Sequence, residues 1–289
     1  MTTHSDEHYY VPHGSHWPVV GSLGLLFLMT GVSSWLNGAD FGFYVMLAGF
    51  AILIFMITGW FGTVIGESEG GLYNAQVDKS FRQGMFWFIF SEVMFFAAFF
   101  GALFYARNMS IPWLGGDSNN FFTNLLLWEG YESTWPTNGP GNVGGEYSAM
   151  PPFGLPLINT ALLLTSSITV TIAHHALIAN KRTQLKLALA ATFTLGFIFV
   201  GLQAWEYVHA YEDLNLRLTS GIYGSTFFML TGFHGMHVTI GAIMLTIMFF
   251  RVLKGHFTPE NHFAFEAVAW YWHFVDVVWI GLYVFVYWM

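Results

Sequence analysis

Glu92 is the residue whose type and setting most suggest chemistry. It stands in Phe86-Trp87-Phe88-Ile89-Phe90-Ser91-Glu92-Val93-Met94-Phe95-Phe96, with no basic residue within two helical turns. An ionisable group in hydrocarbon costs about 2.5–3.5 kcal/mol on insertion scales, so such a residue is a functional candidate by default. Two readings stay open: a protonatable site or proton antenna, or a carboxyl hydrogen-bonded to a neighbouring helix.

Other polar residues recur inside apolar runs. Gly232-Phe233-His234-Gly235-Met236-His237 puts His234, His237 and Gly241 at i, i+3 and i+7, one stripe of a helix. Glu266, His273 and Asp276 form a second stripe, Gln203, Glu206 and His209 lie in a third segment, and His174-His175 ends a fourth. Two His at i, i+3 can ligate a metal, but a di-iron oxygenase needs several such clusters near one membrane face. Here the His-x-x-His is isolated and the His-His pair lacks an upstream partner. Interhelical hydrogen bonds among these groups are the expected arrangement, and no metal site is expected.

The elements that carry these residues follow from composition. Of 289 residues, 55% are apolar and 9% charged, where a soluble domain averages about 25% charged. Aromatics make up 19%, with 31 Phe and 12 Trp, and 31 Gly permit close helix approach. A hydrocarbon core about 30 Å thick needs about 20 apolar residues per helix. Seven runs qualify: Trp17–Leu36, Phe43–Ile65, Phe81–Tyr105, Leu155–Ile178, Leu187–His209, Tyr223–Phe250 and Phe265–Trp288. They are apolar on all sides, which excludes the alternating segments of a barrel. The expected fold is therefore all-α, with seven transmembrane helices.

With no cysteine, disulfides, thiolate metal sites, iron–sulfur clusters and a Cys-bound dinuclear copper centre are excluded. Nine Lys and Arg scattered along the chain exclude a nucleic-acid role. Met1 to His16 is polar and His-rich and lacks the basic region and cleavage site of a signal peptide. Lys79, Arg82, Lys181, Arg182, Lys186, Arg251 and Lys254 fall on one side of the expected spans, and only Arg107 and Arg217 on the other. The positive-inside rule then predicts a cytoplasmic (or matrix) N-terminus and a C-terminus on the opposite side. The stretch 108–154 is rich in Gly, Pro and Asn and acidic through Asp117, Glu129, Glu132 and Glu146, and it is read as a long outer loop. Its Trp128 and Trp135 are read as docking aromatics or interface anchors. Arg251, Lys254 and His256, with Trp60 at a similar depth, suit anionic headgroups; ordinary snorkelling explains them equally well.

Several segments together resemble one family. They are Trp17-Pro18; Phe90-Ser91-Glu92-Val93-Met94-Phe95-Phe96; Leu157-Ile158-Asn159-Thr160 leading to Ala173-His174-His175; and Leu202-Gln203-Ala204-Trp205-Glu206-Tyr207. To these are added Gly221-Ile222-Tyr223-Gly224-Ser225-Thr226-Phe227-Phe228, Thr231-Gly232-Phe233-His234-Gly235-Met236-His237-Val238, His256-Phe257, and Phe265-Glu266-Ala267 with Ala269-Trp270-Tyr271-Trp272-His273-Phe274-Val275-Asp276-Val277-Val278-Trp279. Across nearly its whole length the chain resembles subunit III of the aa3-type haem–copper cytochrome c oxidases.

The resemblance implies two helices plus five around a lipid-filled cleft, divided as 1–66 and 67–289, and no redox centre in this chain. Haems and copper would belong to partner subunits I and II, with subunit I the main contact and cytochrome c the electron donor. The role implied is to flank subunit I, hold phospholipid and sustain proton uptake. Glu92 matches the family's carbodiimide-reactive glutamate; Arg251 and His256 match positions associated with lipid headgroups. The lipid-binding candidates are thus Trp60, Glu67, Arg251, Lys254 and His256. The buried polar candidates are His174, His175, Glu206, His234, His237, Glu266, His273 and Asp276. Phe61, Gly62 and Thr63 replace the family's usual Trp-Arg-Asp after Trp60, and Gly66 replaces a common basic residue, so lipid contacts there are expected to be differently made. A bacterial plasma membrane is the expected location, with the mitochondrial inner membrane as the alternative. Quinol oxidase subunit III and a stand-alone transporter or proton channel are the rival readings.

Overall fold

The computed structural model describes residues 10–11 and 14–288. Most of the N-terminal stretch Met1 to His16, on which the signal-peptide reading rests, lies outside the described residues. Among the described residues, seven helices are long and apolar enough to cross a membrane: α1 Trp17–Leu36, α2 Phe41–Glu69, α3 Ala75–Leu114, α4 Leu155–Ile178, α5 Arg182–Glu212, α6 Gly221–Leu253 and α7 Phe263–Trp288. A short helix, Phe121–Leu127, follows α3, and no strand occurs among the described residues. The fold is all-α, as expected, and α1 and α4 match their expected bounds.

The remaining helices overrun their apolar runs because helical hydrogen bonding does not stop where hydropathy does. Lys79 and Arg82, expected in a connection, lie in the first turns of α3. There Arg82 Nε donates to Asp78 Oδ2 at 2.7 Å, one turn back. At its far end α3 continues to Leu114, past the expected end at Tyr105. A π-helical turn at Ala106–Ser110 precedes Pro112, whose missing N–H and ring would disturb a regular α-turn. The irregular segment between α3 and α4 therefore opens at Gly115.

Helix ends follow local chemistry. Pro18 and Pro156 sit in the first turns of α1 and α4, where no N–H is required. Gly255, at φ +79°, closes α6: its N–H donates to Val252 O, and that of His256 donates back to Arg251 O at 3.1 Å. Asn180, at φ +55°, ends α4 the same way.

The chain packs as two compact units, Met1–Gln83 and Gly84–Met289. In the first, α1 and α2 cross through glycines. A Cβ at Gly31 would overlap the Met46 backbone, one at Gly42 the backbone of Trp35, and one at Gly49 that of Leu28. Without a hydrophobic drive between helices in lipid, such close approach is what holds them together. In the second unit α7 is the axis: over its apolar 18-residue stretch 56% of residues are buried, against 44% for α6 and 28% for α4 and α5. Trp272 and Trp279 of α7 are fully enclosed with Leu163, Phe199 and Phe227. Gly196 of α5 and Gly241 of α6 leave the space for the Trp272 ring, because a Cβ on either would meet it at 2.6 or 2.8 Å. Trp272 Nε1 donates to Ser166 Oγ and Trp279 Nε1 to Thr160 Oγ1, each at 2.9 Å, tying α7 to α4.

Candidate functional site: paired ionisable groups in the second unit

Glu92 projects from α3 and meets His237 of α6, with Oε2 2.8 Å from Nε2. The His237 side chain is 8% exposed and that of Glu92 23%. His237 Nδ1 lies 2.7 Å from Phe233 O. A carbonyl can only accept, so Nδ1 carries a hydrogen and Nε2 faces the carboxyl. The contact therefore holds a single proton, whether as acid and neutral ring or as carboxylate and imidazolium. Phe95, Phe96 and Tyr271 surround the imidazole. The sequence flagged both partners separately, on different helices.

The other flagged groups settle elsewhere. His234 is fully buried; Nε2 donates to Val275 O at 3.1 Å and the ring packs against Phe199 and Trp279. His273 Nδ1 lies 2.6 Å from Ser167 Oγ, and Asp276, 6% exposed, sits beside the same serine. Glu206 of α5 accepts the Tyr287 hydroxyl hydrogen at 2.6 Å in a fully enclosed site. The stripe drawn through Glu266, His273 and Asp276 divides. Glu266 lies with His174 of α4 and with His262, and one donor atom from each falls within 4.8 Å of the other two. His175, next in sequence, faces outward. Sequence reasoning passed over His262, Ser167 and Tyr287; the His262-to-Glu266 interval of four, at the start of a helix, was the one local signal available.

The lipid-binding candidates fall into different settings. In the first unit Trp60 is exposed, and Glu67 accepts hydrogen bonds from Tyr10 at 3.0 Å and Tyr73 at 2.7 Å. Burial chiefly, with the Glu67 bond second, raises the Tyr73 phenol above its ordinary range. In the second unit Lys254 is exposed and His256 half-buried, while Arg251 is 7% exposed with its guanidinium 4.5 Å from the Phe257 ring centre. Arg182 donates to Phe257 O at 2.8 Å, closing the corner.

The segment between α3 and α4 is anchored rather than loose. The Asn138 amide donates to Asn142 Oδ1, Val143 O and Gly145 O, and Asn215 donates to Glu146 O at 2.9 Å. Trp135 packs on Tyr223, its ring centre 5.7 Å away; Trp128 is exposed.

Residues 7–289 match the family model described as Cytochrome c oxidase subunit III. Among proteins of that name, the chain is 40% identical over 286 residues to the one from Formosania lacustris, covering 99% of this chain and 98% of the relative. It is 40% identical over 289 residues to that of Lemur catta, covering 99% and 94%, and 39% identical over 287 residues to that of Bos taurus, covering 99% and 98%. Agreement of this extent, over the helices that carry Glu92, His237 and the α7 aromatics, shows that the chain belongs to the cytochrome c oxidase subunit III family.

Proposed function

We propose that this chain is the non-redox third subunit of a proton-pumping, aa3-type cytochrome c oxidase. In this reading it flanks subunit I, supports the catalytic core formed with subunit II, retains phospholipid and sustains proton uptake. Haems and copper reside in the partner subunits, and cytochrome c supplies the electrons. The observation that carries the reading is the Glu92–His237 contact: a one-proton pair, partly exposed, in an otherwise aromatic span. Lipid retention is supported by Lys254 and His256 at the α6 corner and by exposed Trp60, since basic groups and interfacial aromatics suit anionic headgroups. Lysines and arginines in or beside the helix ends that meet at the α2–α3, α4–α5 and α6–α7 turns favour a cytoplasmic N-terminus and an outer C-terminus. The membrane is read as a bacterial plasma membrane, with the mitochondrial inner membrane as the alternative.

The test is a mild-detergent pull-down of the chain, with visible spectra before and after its partners are stripped away. Haem and copper that arrive with the complex and leave with the partners are expected. If no haem ever accompanies the chain, the transporter reading takes its place.

A further inference from the structure

We propose that His174, His262 and Glu266 form a binding site for a divalent first-row cation of the zinc type. The donors come from two places that only the fold unites. His174 lies in the last turns of α4, His262 caps the start of α7, and Glu266 follows one turn into it. Their donor atoms already lie within 4.8 Å of one another. Ligands about 2.0–2.2 Å from a tetrahedral zinc stand roughly 3.4 Å apart, so binding draws the donor atoms together by at most about 1.4 Å.

The two imidazoles are poised as ligands. His262 Nδ1 donates to Thr258 O at 3.2 Å. That bond fixes the tautomer and leaves Nε2 with its lone pair, the arrangement by which a second shell prepares a metal-binding histidine. His174 Nε2 is enclosed and has no hydrogen-bond partner among the described residues, and its ring rests on Phe265 at 6.0 Å. A buried imidazole nitrogen with nothing to bond is costly; a cation supplies what the protein does not. Two imidazoles and one carboxylate make a zinc donor set, and the half-buried setting of all three leaves a coordination position for water. The site would clamp the end of α4 to the start of α7, the most enclosed helix of the second unit.

The experiment uses the full chain, purified in mild detergent with whatever subunits accompany it, stripped with a chelator and dialysed against graded zinc chloride. Zinc is counted by elemental analysis, and its ligands are read by X-ray absorption at the zinc edge. One equivalent with two imidazole ligands and one oxygen donor is expected. It should be lost, or weakened 10–100-fold, in His262→Ala and in Glu266→Gln, and kept in His175→Ala, whose outward ring lies next to the cluster. His262 precedes its helix, so its variant tests binding even if replacing His174 impairs folding. Zinc should also raise the melting midpoint of the parent chain and not that of His262→Ala. Equal zinc affinity in parent and both variants, or an absorption spectrum without imidazole scattering, would overturn the site.

Discussion

The Glu92 carboxyl and the His237 imidazole, 145 residues apart in sequence, lie 2.8 Å apart and hold one proton between them. Nδ1 of the ring is committed to Phe233 O, and the carboxyl is the more exposed of the two partners. Glu92→Gln keeps a donor facing Nε2 and should leave the melting midpoint nearly unchanged while slowing proton uptake by the assembled oxidase. His237→Ala strands the carboxyl at membrane depth and should cost about 1–3 kcal/mol. Thermal melts and flow-flash proton uptake distinguish the two; equal destabilisation by both substitutions would mean that the pair is only a structural tie.

The Trp272 pocket should resist any added carbon. Gly241→Ala places a Cβ 2.8 Å from the indole, and overpacking of this kind costs about 1–3 kcal/mol. Loss of the Trp272–Ser166 bond would accompany it, visible as a shift in tryptophan emission. A second change, Trp272→Phe, should restore part of the stability by vacating the space, though it gives up that bond.

Tyr147, in the segment between α3 and α4, stacks on Tyr223 with ring centres 5.8 Å apart, and its hydroxyl has no partner among the described residues. Burial first, and neighbouring Tyr131 second, push its phenol up to about 12. The native state thus favours the neutral phenol. The stability tied to that form is complete below the ordinary tyrosine value of about 10 and is lost as pH climbs through about 12. Tyr147→Phe should be within about 1 kcal/mol of the parent at neutral pH and should flatten this part of the alkaline decline. Melts taken from pH 8 upward would show it; an unaltered alkaline slope would refute the assignment.

Arg251 and Lys254, three residues apart, should behave differently. Arg251 lies over Phe257 and is 7% exposed, so Arg251→Ala should destabilise by about 1–2 kcal/mol through the lost cation–π contact and packing. In the proposed lipid-retaining role, exposed Lys254 would contribute attraction to anionic headgroups of about 1 kcal/mol. Lys254→Ala should therefore lower phospholipid retained after detergent washing and leave the melt unchanged. Phosphorus counted per complex is the readout, and undiminished lipid would remove Lys254 from the binding set.

Hydropathy is a property of contiguous residues, and so the seven spans, the all-α fold and the family were legible in the sequence. The long motifs around His234–His237 and Trp270–Trp279 carried the family because they are read without knowing any contact. What each polar residue meets was not legible. That depends on how far each helix is rotated and shifted against its neighbours, which is decided by glycine faces such as Gly196 and Gly241 receiving Trp272. A rotation of one residue, about 100° of helix, would turn His237 away from Glu92. The stripe through Glu266, His273 and Asp276 was correct as helical geometry, yet its members face different partners because the end of α4 reaches only the first turn of α7 near His174. Chain-local chemistry determined which residues enter the membrane. Packing in three dimensions decided that Glu92 shares a proton with His237 and that His174, His262 and Glu266 converge.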